Sequence, residues 1–187
     1  MVYLHRITTS HEHYRYVEDL LKTAFPTEER RDSDKQREFT DHNPKFMPHV
    51  VLDGKTPIGL LTLWNFKDFN HIEHFAIDKL FRNKGIGKQV LSILKEKLQR
   101  PIILEVEEPT DHISKRRINF YKRQGFIVEN FKYQQPPYRK GDKWITMKLM
   151  SYNIKTDERI NEKIRDTIYK EVYGINPTDL LMRKNKG

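Results

Sequence analysis

The segment Phe81-Arg82-Asn83-Lys84-Gly85-Ile86-Gly87-Lys88 joins a short apolar run, Ile72 to Ile77, to a stretch where Ile86, Val90, Leu91, Ile93, Leu94 and Leu98 recur at helical spacing. This pattern reads as strand, anion-binding turn and amphipathic helix. The first turn of that helix gathers Arg82, Lys84 and Lys88, and no acid follows until Glu96. A helix start carries partial positive charge, so each cation there costs about 0.3–1 kcal/mol, and a bound anion reverses the sign. Gly85 and Gly87 let the backbone approach a ligand and aim free N–H groups at it. The bland alternative is a helix entry with solvated lysines. Two other phosphate loops are disfavoured. A Walker loop needs glycine where Arg82 stands and Ser or Thr where Gln89 stands, and a dinucleotide fingerprint needs a small residue in place of Val90.

Side chains alternate along a strand. Over 70–77 this predicts His71, Glu73, Phe75 and Ile77 on one face and Ile72, His74 and Ala76 on the other. Parity therefore pairs Glu73 with His71, and it separates His71 from His74, so no shared metal site is expected. Glu105 and Glu107 share a parity on a further strand, where they could bind a cationic group.

A second element stands downstream, Arg116-Arg117-Ile118-Asn119-Phe120-Tyr121-Lys122-Arg123-Gln124-Gly125-Phe126, after the strand Ile102-Ile103-Leu104-Glu105-Val106. Arg82-x-x-Gly85-x-Gly87 resembles motif A, and the second element motif B, of the GNAT superfamily of acyl-CoA-dependent N-acetyltransferases, in its small bacterial form. The resemblance covers roughly Val51 to Met150. It implies an α/β (α+β mixed) fold with a central mixed, mostly antiparallel sheet of six to seven strands. It also implies a splay between strands 4 and 5 and helices on both faces.

The resemblance further implies acetyl-CoA as cofactor. Arg82, Asn83, Lys84, Gly85, Ile86, Gly87 and Lys88 would hold its pyrophosphate, and the backbone of Phe75, Ala76 and Ile77 would hold its pantetheine arm. Ser114, Asn119 and Tyr121 would complete the contacts. Tyr121 is the expected proton donor to the leaving thiolate. Glu73 is the expected acceptor of the amine proton, with His71 as second choice. An alkyl ammonium has a pKa near ~10, so either base needs a raised pKa of its own or a water relay. The segment Phe25 to Arg30, with Glu28 and Glu29, and the loop Tyr133 to Gly141, with Tyr133 and Tyr138, are expected to wall the acceptor beside Glu105. Two positions depart from the commoner family pattern: Arg117 replaces a small residue and Ser114 an asparagine.

The elements that must position these groups are legible around them. Val2 to Ile7 alternates as a first strand, and Thr9-x-x-Glu12 offers a capping box for a helix carrying Val17, Leu20, Leu21 and Ala24. A short helix is expected near Asp34 to Thr40. Phe46 to Leu52, Pro57 to Phe66 and Asn70 to Ile77 read as strands, the first two joined by the Asp53-Gly54 turn. A last helix is expected from about Asp157 to Tyr173, capped by Thr156 and ended by Gly174, with Asn185 to Gly187 fraying. The expected organisation is residues 1–150 as the acetyltransferase domain and 151–187 as a helical extension packed on it.

With 187 residues, one substantial core is expected. The 35 basic against 26 acidic residues give a net charge of +9, which permits polyphosphate, membrane or nucleic-acid ligands alike. The chain has no cysteine, which excludes disulfides and an acyl-enzyme on sulfur, so acyl transfer should be direct. No apolar run approaches the ~18 residues of a membrane span, and Met1 to Arg6 lacks a signal-peptide core, so a cytoplasmic enzyme without membrane partners is expected. The acids gathered near the expected acceptor wall favour the primary amine of a small molecule or peptide as acceptor, attacked in a ternary complex. The alternatives are a non-catalytic CoA-binding module and, last, a basic nucleic-acid binder. A homodimer through the terminal helix is open.

Overall fold

A computed structural model describes residues 1–176 of the chain. Strands β1 (Val2–Arg6), β2 (Phe46–Asp53), β3 (Thr56–Asn65) and β4 (Asn70–Ile77) follow one another, with helices α1 (Tyr14–Ala24) and α2 (Ser33–His42) inserted between the first two. After a 3₁₀ turn at Lys79–Phe81 come α3 (Ile86–Lys97), β5 (Ile102–Glu107), α4 (His112–Arg123), β6 (Ile127–Val128), β7 (Tyr133–Gln135), β8 (Ile145–Tyr152) and α5 (Glu158–Tyr173).

One sheet runs β1-β2-β3-β4-β5-β8-β6, with β7 also on β8. Every pairing is antiparallel except β4 with β5. That parallel ladder is short: only Asn70, His71 and Ile72 pair, with Ile102, Ile103 and Leu104. From Glu73 onward the two strands diverge, which is the expected splay. The sheet has eight strands rather than six or seven. The extra one is Tyr133–Gln135, expected as loop, which pairs with Ile145–Met147, while Ile127–Val128 pairs further along β8 with Met150 and Ser151.

Both faces are covered. Ile86, Val90, Leu91 and Leu94 of α3 and Ile118 and Tyr121 of α4 pack with Leu61, Leu63, Ile72 and Leu104 on one face. On the other, Ile164, Ile168, Tyr169 and Val172 of α5 pack with Phe46, Trp64, Ile103 and Leu149, and Tyr14, Val17 and Leu21 of α1 with Val50 and Leu60. The apolar stripe of α5 thus lies against the chain's own sheet. No described helix is long and apolar enough to cross a membrane.

Three local expectations need correction. Helix α1 starts at Tyr14 after His13, and Thr9 instead binds Asp41 through its amide (2.9 Å) and hydroxyl, so no Thr9–Glu12 box forms. Asp157, not Thr156, caps α5 by accepting from the Ile160 amide (2.7 Å), because the Thr156 hydroxyl donates to Glu129. The third concerns strand parity. Thr62 pairs with His74 but Leu63 pairs with Ile72, so Glu73 is an extra residue in a β-bulge. Ile72, Phe75 and Ile77 then share the α3 face, while Glu73 and His74 both turn to the face of Trp64 and Arg31. His71, Glu73 and His74 therefore lie on one side of the sheet. Among the described residues no group of three acids or histidines is arranged to hold a metal. The frayed end expected at 185–187, and with it the end of the 151–187 extension, lies outside the described residues.

Candidate active site

The anion turn is built as its residue types require. Asn83 (φ 63°) and Gly85 (φ 73°) both take the left-handed conformation, which Gly and Asn tolerate best. Helical hydrogen bonding begins with the Gln89 amide on the Gly85 carbonyl (3.1 Å), and the amides of residues 83–88 find no acceptor among the described residues. Gly87 sits under α4, where an added Cβ would come 3.1 Å from Phe120 Cζ. The Arg82 Nε donates to the Ile77 carbonyl (2.8 Å), tying the turn to the end of β4.

The turn opens on a cavity of about 580 Å³ that passes through the gap between β4 and β5. One end is lined by Arg82, Asn83, Gly85, Ile86, Gly87 and Lys88 with Arg116 and Arg123 of α4. Phe75, Ala76 and Ile77 follow, and their β5-facing backbone edge has no strand partner among the described residues. Tyr121 stands at the middle, buried on the α4 side, and its hydroxyl has no hydrogen-bond partner among the described residues. Burial, with Glu107 adding to it and Arg117 opposing, pushes this phenol up to about 12, so it is protonated across the physiological range.

The far end has a polar floor on the α5 side. The Arg31 guanidinium, fully enclosed, clasps Glu73: Nη1 donates to Oε2 (3.0 Å) and Nη2 to Oε1. The rings of Phe39, Phe46, Trp64 and Tyr138 surround it at 4.8–5.4 Å. Glu73 also accepts from Trp64 Nε1 (2.9 Å) and the Tyr138 hydroxyl (2.7 Å). Burial alone would raise this carboxyl, but the Arg31 charge and the hydrogen bonds from Arg31 and Trp64 outweigh it and hold it at about 2. A carboxylate so satisfied is a weak proton acceptor at neutral pH, which runs against the role expected for Glu73. His71, the second choice, is wholly buried off the cavity lining, 3.3 Å from Glu105.

His74 links this floor to the segment between α1 and α2. Its Nε2 stands 2.9 Å from the Glu29 carbonyl, which can only accept, so Nε2 carries the proton. Nδ1 faces the Thr62 hydroxyl at 3.1 Å, and burial keeps the ring neutral. Arg139, from the loop before β8, donates to the Thr27 carbonyl (2.7 Å) and to Asp32 (2.7 Å). The two segments expected to wall an acceptor are thus tied to each other. On β5, Glu105 accepts from the hydroxyls of Tyr133 (2.6 Å) and Tyr173 (3.0 Å), and Glu107 pairs with Arg117.

The remaining expected residues separate. Glu29, Glu105 and Tyr138 line the cavity, whereas Glu28 is exposed away from it and Tyr133 lies behind Glu105. Lys84 is exposed, its ammonium over the Phe81 ring. Ser114 is buried in the capping box of α4, accepting from the Asp111 amide (3.2 Å), and Asn119 faces solvent, so neither reaches the cavity. Arg31, Trp64, His74 and Tyr173 were not singled out from sequence as site residues. Arg31 sits in a run of charges with no local mark; only its partner 42 positions away distinguishes it.

The family model described as Acetyltransferase (GNAT) family matches residues 14–126. A protein from Bacteroides thetaiotaomicron assigned to the same family superposes with a TM-score of 0.90 at 43% identity, over 93% of this chain and 99% of that one. More distant structures share the fold. A Bacillus subtilis acetyltransferase in complex with CoA has a TM-score of 0.57 at 15% identity, covering 83% of this chain and all of its own. Arabidopsis thaliana NAA60 with acetyl-CoA has 0.61 at 15%, covering 81% and 98%. No protein with a curated description matched by sequence.

Proposed function

Because the chain belongs to the GNAT acetyltransferase family, we propose that it moves the acetyl group of acetyl-CoA directly to the primary amine of a small molecule or peptide within a ternary complex. One observation carries this reading: a helix start with unclaimed amides, an unpaired strand edge and an unpartnered tyrosine hydroxyl line one continuous cavity.

These residues fit the donor. The amides of 83–88, with Lys88, Arg116 and Arg123 beside them, suit a diphosphate. The open edge of Phe75 to Ile77 suits the amides of a pantetheine arm, and a strand N–H there would polarise the thioester carbonyl. Acetyl-CoA supplies the activated acyl carbon. Tyr121, protonated and at mid-cavity, would donate its proton to the leaving sulfur. On the other side, Glu29, Glu105 and Glu107 give the acceptor end a negative lining suited to a cationic amine. Arg31 and Glu73 neutralise one another and act here as a rigid floor.

Calorimetric titration with acetyl-CoA, followed by thiol-release assays over polyamines, amino acids, aminoglycosides and free-amino-terminal peptides, tests the proposal. Binding at low salt with thiol release for at least one cationic amine is expected. Absence of acetyl-CoA binding, or turnover only with acidic or neutral acceptors, would overturn it.

A further inference from the structure

Of the four carboxylates that line the cavity, three are already engaged: Glu73 by Arg31, Trp64 and Tyr138, Glu105 by Tyr133 and Tyr173, and Glu107 by Arg117. Glu29 has no hydrogen bond or ion pair to its carboxylate among the described residues. Its backbone is nonetheless fixed from two directions, by His74 on its carbonyl (2.9 Å) and by Arg139 on the Thr27 carbonyl (2.7 Å). A carboxylate on an anchored backbone, free of partners and facing a cavity, is placed to act on what enters. Among the described residues no other carboxylate or imidazole of the lining is free. The nitrogens of His74 are both engaged, and the Tyr138 hydroxyl donates to Glu73.

From this geometry we propose that Glu29, on the segment between α1 and α2, is the proton acceptor of the reaction. The inference rests on the acetyl-transfer reading above. The amine nitrogen forms a bond to the acyl carbon as the carbon–sulfur bond breaks; the amine proton passes to the Glu29 carboxylate, the Tyr121 proton passes to sulfur, and solvent returns the proton from Glu29 to Tyr121. The groups around Glu29 set its basicity. Burial and the negative charges of Glu107, Glu28 and Glu105 raise it, Arg117 opposes them, and the result is a carboxyl at about 7. An acceptor poised near the operating pH is the most efficient kind.

Two measurements test this. The first needs no acceptor: carboxyl carbons of glutamate labelled with carbon-13 are followed by NMR in the intact protein, with Glu29→Gln for assignment. One carboxyl titrating near pH 7 and missing from Glu29→Gln is expected, moved upward in Arg117→Ala. If every glutamate titrates below pH 5.5, the proposal fails. The second uses the fastest amine from the thiol-release screen. Below pH 7, kcat/KM should rise with two proton dependencies in the wild type and one in Glu29→Gln, whose rate at pH 8 should fall about 10²- to 10³-fold. Acetyl-CoA affinity should stay unchanged, since that side chain holds nothing in place, and the urea midpoint at pH 8 should rise rather than fall, because a carboxyl raised above its unfolded value costs stability once ionised. A Glu29→Gln enzyme within about threefold of wild type and keeping both dependencies would overturn the assignment. Thiol release with no amine would sink the acetyl-transfer reading instead, leaving the titration to decide what Glu29 can do.

Discussion

Replacing Glu73 by Gln separates a structural carboxylate from a chemical one. The side chain is 1% exposed and receives four hydrogen bonds from Arg31, Trp64 and Tyr138. An amide of the same shape turns one acceptor into a donor, aimed at groups that are themselves donors, and leaves the Arg31 charge enclosed without a counter-charge. Removing one partner of a buried pair costs about 3–5 kcal/mol. Linkage gives a similar size: a carboxyl at about 2 folded against 4.5 unfolded differs by roughly 2.5 pKa units, or about 3 kcal/mol. The sign follows from the lowered folded value. This stabilisation is full above pH 4.5 and is lost as the pH falls towards 2.

Urea unfolding followed by the fluorescence of Trp64 and Trp144 should place the Glu73→Gln midpoint about 1–3 M lower at pH 7, given a slope of about 1–3 kcal/mol per M. At pH 2.5 the wild type and the variant should nearly coincide. Changing Arg31 to Met as well should cost less than the sum of the single changes, with a coupling of about 2 kcal/mol. A Glu73→Gln protein with unaltered midpoint and abolished turnover would refute this reasoning. It would mean that the carboxylate serves the reaction and that Arg31 does not depend on it.

Tyr121→Phe should lower kcat about 10²-fold while the acetyl-CoA dissociation constant from calorimetry stays within a factor of two or so, because the hydroxyl donates only at the leaving sulfur. Gly85→Ala forces a side chain into φ 73°, at about 1–2 kcal/mol; the urea-midpoint loss and the weakening of acetyl-CoA binding should together account for that amount, and no change in either would contradict the turn geometry. His49, pushed down to about 4 by burial, stays neutral in the folded protein and charges more readily when unfolded. Stability should therefore decline from pH 6.5 towards 4, before Glu73 contributes, and His49→Gln should flatten that limb in pH-dependent urea titrations.

The strands and the anion turn were legible because each rests on local pattern, whereas the splay was implied by the family resemblance alone. Apolar runs bounded by turns mark β3 and β4, helical spacing marks α3, and cations beside Gly85 and Gly87 mark the turn. The acceptor half was less legible for two physical reasons. A β-bulge has no compositional signature, so one extra residue at Glu73 reversed the alternation of residues 74–77 relative to 70–72 and brought His74 round to its side. Long-range partners are likewise invisible in sequence. Arg31 stands in the charge run between α1 and α2 like its neighbours, and only the fold encloses it among four rings. Ser114 and Asn119 lie off the cavity lining for local reasons: Asp111 recruits Ser114 as a cap of α4, and Asn119 faces solvent.

The bulge also explains why two carboxylates near the same cavity differ so far in basicity. By turning Glu73 and His74 to one face, it delivers the first to Arg31 and the second to the Glu29 carbonyl. Arg31 neutralises Glu73, so its charge does little to a neighbouring acid. The neutral His74 fixes the Glu29 backbone without lending it a positive charge. Glu29 is left to partial burial and to the repulsion of Glu107, Glu28 and Glu105, which together outweigh Arg117 and favour its protonated form. Deleting Glu73 should therefore regularise the ladder, with Thr62 still opposite His74 and Leu63 opposite Ile72: His74 keeps the Glu29 carbonyl, while Arg31 loses its counter-charge and the acceptor end of the cavity loses its floor.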